Sequence, residues 1–152
     1  MKNSVIYSFI VAIVQVALAL ENGEFCEEEL KCIEKLHLDK SHIEKICRDE
    51  STKFLPETDV DFNSFQFCHW NARNLQDING NLNYDEIAEC IQEYPRSEYG
   101  ANADDDEPIG LKIALEAIEM CRHIPKGESH GQTAVKVQNC IDKHIMELVE
   151  KD

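Results

Sequence analysis

The chain is short of basic residues, of aromatics and of apolar runs, and each shortage removes a class of function. It carries 15 Lys and Arg against 30 Asp and Glu, a formal net charge of −15. Such a surface repels phosphate backbones and anionic lipid, so nucleic acid and membrane surfaces are not expected partners. Beyond the N-terminus no stretch approaches the roughly 18 apolar residues that a membrane-crossing helix needs. There is no Cys-x-x-Cys pair, and no Cys/His group has a tight zinc spacing, which argues against a structural metal site. No serine elbow is present. His130 is followed by Gly131 with no nucleophile fixed beside it, and a cysteine nucleophile would need an activated thiolate. The expectation is a protein that is not an enzyme and needs no cofactor. Strand signals, internal repeats and low-complexity tracts are also missing.

What is present begins with a leader. Val5 to Val16 is apolar apart from Tyr7, Ser8 and Gln15, and Ala17-Leu18-Ala19 has the small-x-small pattern of a signal-peptidase site. Residues 1–19 are read as a secretory signal peptide, and 20–152 as a single domain. All seven cysteines lie after the leader: Cys26, Cys32, Cys47, Cys68, Cys90, Cys121 and Cys140. Export makes disulfides the default, and an odd count leaves at least one thiol over.

The rest reads as helices. Apolar residues recur at three and four over Glu24 to Leu38, through Phe25, Cys26, Leu30 and Ile33. Asp39 or Ser41 caps a second helix over Ser41 to Cys47. Asp59 or Asp61 caps a third, from Phe62 to Leu75. Asp77 to Asn81 is a turn built on Gly80. Leu82 leads into a fourth helix that ends near Tyr94, before Pro95. An acidic loop insertion occupies about 95–110. A fifth helix runs from about Pro108 to His123, and a sixth from about Ser129 to Val149. The fold class is all-α: a compact bundle of about six helices pinned by disulfides around an internal apolar cavity. Cys121 and Cys140 flank a short breaker, so a bridge across that helical hairpin is natural.

The stretch Phe67-Cys68-His69-Trp70, followed by Asp77-Ile78-Asn79-Gly80-Asn81-Leu82-Asn83-Tyr84-Asp85-Glu86, resembles the insect odorant-binding proteins. So does Cys121-Arg122-His123-Ile124 through Asn139-Cys140. In that family six cysteines pair first with third, second with fifth and fourth with sixth. By spacing, Cys32 is the first, Cys68 the third, Cys121 the fourth and Cys140 the sixth. The resemblance therefore implies bridges Cys32–Cys68 and Cys121–Cys140. The second and fifth cysteines would fall at Ser64 and Gly131, so both members of one bridge are missing, as in the subgroup lacking it. Cys26, Cys47 and Cys90 have no counterpart. Inward helix faces suggest Cys47–Cys90 as a third bridge, with Cys26 left for a homodimer.

The resemblance implies a secreted, extracellular carrier of small hydrophobic ligands, such as an odorant, pheromone or lipid, acting in olfactory transport with a chemosensory receptor as further partner. Apolar periodicity together with the fold analogy places Phe62, Phe65, Trp70, Ile87, Ile91, Ile113, Ile118, Val135 and Ile141 on the pocket wall. The alternative is a secreted interaction protein, a venom or haemolymph factor, with a filled core. A calcium-binding module is a third reading, because Leu75 to Glu86 matches an EF-hand loop at Asp77, Asn79, Gly80, Leu82 and Glu86. Leu75 occupies the first ligand position and offers no side-chain oxygen, so no metal site is expected there. His123 and His144, near Cys121 and Cys140, are expected to border the core and to weaken ligand binding as pH falls from about 7 to 5.

Overall fold

The computed structural model describes residues 25–49, 51–92 and 109–149. Among these residues six helices account for the regular structure: α1 Glu27–Lys35, α2 Lys40–Cys47, α3 Val60–Ala72, α4 Tyr84–Gln92, α5 Ile109–Met120 and α6 His130–Val149. Among the described residues there is no strand, only an isolated antiparallel bridge between Gln76 and Leu82. The expected all-α class holds. The expected leader, residues 1–19, lies outside the described residues. So does most of the acidic insertion, whose end is cut short because Ile109 and Gly110 already belong to α5.

Local chemistry sets the helix ends. Asp39 starts α2 by accepting the Ser41 N–H at 2.9 Å, so the cap is Asp39 rather than Ser41. Asp59 accepts the Phe62 N–H at 2.8 Å and starts α3 at Val60, two residues before the expected Phe62. Ser129 Oγ accepts the Gln132 N–H at 3.0 Å and caps α6. Two helices stop earlier than their apolar periodicity. After α1, His37 takes a left-handed φ of 53°, and the Leu38 N–H turns back to the Ile33 carbonyl at 3.0 Å. After α3, Asn74 takes φ 59° and the Leu75 N–H reaches the Trp70 carbonyl at 2.9 Å. Both are Schellman closures, in which one left-handed residue lets the last carbonyls find donors. An apolar residue just past each closure, Leu38 or Leu75, extends the hydrophobic pattern beyond the helix itself.

The chain divides into two compact units. One contains α1, α2, α3, the turn to Asn83 and residues 124–139, hence the first half of α6. Its core joins Phe25, Cys32, Ile33, Ile43, Phe62, Phe65 and Val135, all buried. The Cys32–Cys68 disulfide ties α1 to α3. The irregular segment between α2 and α3 is fastened by one amide: Asn139 Oδ1 accepts the Leu55 N–H at 2.8 Å, and Asn139 Nδ2 donates to the Leu55 carbonyl at 3.0 Å. A side chain here pairs both backbone groups of a residue outside any helix.

The other unit contains α4, α5 and residues 140–149 of α6. Ile87, Ile113, Ala114, Ala117, Ile118, Ile141 and Ile145 are buried there. The Cys121–Cys140 disulfide links the end of α5 to α6. Tyr84 Oη donates to the Cys121 carbonyl at 2.9 Å, and Arg122 bridges Asp85 at 3.1 Å and Glu119 at 2.7 Å. The expected Cys47–Cys90 bridge does not form, because Cys47 keeps a free thiol. Burial of that thiol, with Glu29 and Glu44 nearby, pushes its pKa up to about 12.

Candidate functional site

The residues expected to line a pocket are buried, but they fall into both units. Phe62, Phe65, Trp70 and Val135 belong to the α1–α3 unit, while Ile87, Ile113, Ile118 and Ile141 belong to the other. The side chain of Ile91 lies outside the described residues. Phe62, Phe65 and Val135 pack into the same cluster, and the Phe62 and Phe65 rings sit 5.9 Å apart. Phe25 meets Phe65 edge-on at 6.1 Å. These rings fill space with one another in the manner of a packed core.

A cleft of about 430 Å³ opens on the α1–α3 unit, between α3 and the start of α6. Its wall includes Ser64, Phe67, His130 and Gly131. The Phe67 and His130 rings lie 5.3 Å apart. Gly131 is there for a steric reason: a Cβ at this position would overlap the Asn63 carbonyl and stand 3.0 Å from the Asn63 Cα. Gly131 therefore backs directly onto α3 one residue before Ser64. Ser64 and Gly131, the two positions at which the family resemblance expects a cysteine pair to be lacking, line the same cleft.

The turn from Asp77 to Leu82 is closed on itself. Asp77 Oδ1 accepts the N–H groups of Asn79 and Asn81 at 2.9 and 2.8 Å, and Oδ2 accepts Asn81 Nδ2 at 2.9 Å. These bonds hold the exposed Asp77 carboxyl below the usual carboxylate range. Gly80 supplies φ 80° and packs against the His130 ring. Gln76, fully buried, donates to the carbonyls of Gly80 and His130, both at 3.0 Å. The Asp77 carboxylate that an EF-hand would turn to the ion here serves the turn.

Of the two watched histidines, His123 is exposed and does not border the core. It falls in the turn after α5, past the last apolar contact of that helix. His144 is partly buried on α6 and meets Glu147 at 3.1 Å.

A polar cluster was missed by the sequence reading. Glu29 and His69 are 1% and 2% exposed in the interior of the α1–α3 unit. His69 Nε2 lies 3.9 Å from Glu29 Oε1, too far for a hydrogen bond. Glu29 Oε2 accepts the Cys26 N–H at 2.8 Å, whereas Glu29 Oε1 and His69 Nδ1 have no hydrogen-bond partner. The Phe65 ring stacks on His69 at 6.0 Å. Burial, reinforced by the Arg73 charge and opposed by Glu28, lowers the His69 pKa to about 4. Burial raises the Glu29 carboxyl, against the Cys26 N–H bond and Arg73, and burial likewise raises the Cys26 thiol. The one sequence signal was local: Glu29 stands three residues after Cys26, the spacing at which a first-turn glutamate reaches back to the N-cap amide. No protein-family model, no curated protein and no solved structure matches the chain.

Proposed function

We propose that this protein is a secreted carrier of small hydrophobic molecules, built on the plan of the insect odorant-binding proteins. The observation that carries the reading is the arrangement of its cysteines and of their absences. The structure holds the bridges Cys32–Cys68 and Cys121–Cys140, which the resemblance by spacing likens to the first–third and fourth–sixth pairs of that plan. Ser64 and Gly131, which stand for the second and fifth cysteines, share one cleft wall. The acidic surface supports high solubility in an extracellular fluid. Binding would draw on burial of ligand apolar area, at about 25 cal/mol per Å². Its wall would draw on apolar residues named from the sequence, Ile118 among them. A chemosensory receptor and a second copy of the chain are the partners this reading allows.

Close packing of Phe62, Phe65 and Val135 favours a second reading, a secreted interaction protein whose core is filled. A fluorescent apolar probe separates the two. The carrier binds it saturably at neutral pH, releases it to long-chain alcohols, and loses affinity in Ile118→Asn. Absence of saturable binding by the folded, disulfide-bonded protein would refute the carrier and leave the filled core.

A further inference from the structure

Cys26, Glu29 and His69 offer a sulfur, a carboxylate oxygen and a ring nitrogen that all lie within 4.8 Å of one another. Two of the three side chains are almost wholly buried, and Glu29 Oε1, which satisfies no hydrogen bond, faces His69 Nε2 at 3.9 Å. A buried carboxylate oxygen without a partner is costly, so its presence in a small core calls for a compensating group. We propose that these three residues form a zinc site, with Cys26 Sγ, a Glu29 carboxylate oxygen and a His69 ring nitrogen as ligands.

The donor set suits the ion. Zinc is borderline-soft and takes thiolate, imidazole and carboxylate together in tetrahedral geometry. On binding, the Cys26 thiol gives its proton to solvent as the sulfur–metal bond forms. The neutral imidazole contributes a lone pair, and the Glu29 carboxylate supplies the second negative charge. The dication and two anionic ligands sum to zero, the cheapest state to hold in an apolar interior. Burial already keeps the His69 ring in its neutral, ligating form. Arg73 acts on both His69 and Glu29 and opposes a cation, while the Glu28 carboxylate works against Arg73 at both.

The site is pre-organised by the disulfide beside it. Cys32 follows Glu29 by one helical turn and Cys68 immediately precedes His69, so the Cys32–Cys68 bridge fixes the two helices that carry them. Metal would then pin the entry to α1 onto α3. A pair 43 positions apart in the chain forms no zinc-spacing motif, and that is why sequence inspection passes it by.

The test uses the whole processed chain with its disulfides intact. Iodoacetamide labelling is mapped by peptide mass with and without micromolar zinc. Zinc is expected to slow Cys26 alkylation at least tenfold while leaving Cys47 unchanged. Cobalt should bind with a thiolate-to-metal charge-transfer band, and Cys26→Ser, Glu29→Gln and His69→Gln should each weaken it by at least the roughly 10–100-fold that loss of even a supporting group costs. Equal Cys26 labelling with and without zinc in the wild type, or a cobalt spectrum lacking the thiolate band, would overturn the site. Neither readout depends on a variant folding.

Discussion

Replacing Gly131 with Ala isolates the contact on which the packing of α3 against α6 rests. Gly131 is the second residue of α6, and an alanine is the better helix former by up to about 1 kcal/mol. Helix propensity alone predicts a more stable protein. The packing predicts the opposite. The new Cβ would overlap the Asn63 carbonyl, which is helix backbone and cannot rotate away. Reaching an ordinary contact of about 3.5 Å requires the two helices to part by more than about 1 Å. Overpacking of this kind costs about 1–3 kcal/mol. Parting the helices also stretches the bonds that cross nearby, from Gln132 Nε2 to the Glu57 carbonyl and from Gln76 Nε2 to the His130 carbonyl, both 3.0 Å. The net expectation is a loss of about 1–2 kcal/mol. Urea unfolding should show a lower midpoint with an unchanged slope. Gly127→Ala is the control, since the nearest atoms its Cβ meets belong to the movable Gln132 side chain, and it should lose less. A Gly131→Ala midpoint at or above the wild type would refute the close approach and, with it, the adjacency of Ser64 and Gly131.

Other consequences follow from the same geometry. Removing a disulfide as an Ala pair should cost about 3 kcal/mol for Cys121–Cys140 and about 4 kcal/mol for Cys32–Cys68 by chain entropy, because their separations are 19 and 36 residues; equal costs in chemical denaturation would contradict that ordering. Asp59 is held below the usual carboxylate range although burial works against it, because the Phe62 N–H and His42 stabilise the anion. The stability this gives is present above the unfolded pKa near 4 and is lost as pH falls through the lower folded value. Asp59→Ala should therefore cost about 1 kcal/mol at pH 7 and almost nothing well below both values; a constant cost across that range would contradict the shift. Calorimetry with calcium should detect nothing tighter than the millimolar range of weak extracellular modules, and a micromolar site lost in Glu86→Gln would contradict the closed Asp77 turn. If probe affinity falls between about pH 7 and 5, His123→Gln should leave that fall intact, since His123 is exposed; its abolition by His123→Gln would contradict this placement.

Helix existence was legible from apolar spacing in most helices, although the buried face of α3 carries Asn63, Gln66 and His69 beside Phe62, Phe65 and Trp70, and Asp39 and Asp59 stood among the cap candidates, with Ser41 and Asp61 as alternatives. Helix ends were less so. His37 and Asn74 adopt left-handed φ without being glycine, and nothing in their identity forces the stop where periodicity continues into Leu38 and Leu75. Burial of the apolar wall residues could be read from spacing, but whether buried rings enclose space or fill it depends on their mutual packing. The Cys26, Glu29 and His69 cluster was illegible for another reason: a glutamate in the first turn of an acidic helix looks like dipole complement, and only the tertiary fold turns it inward.

The carrier claim meets its most direct test in native mass spectrometry of the protein purified from its source fluid. The account predicts a non-covalent adduct of a small apolar molecule, lost on mild activation, on a chain whose mass corresponds to the processed form with two disulfides. An adduct-free protein that also takes up no apolar probe would contradict it.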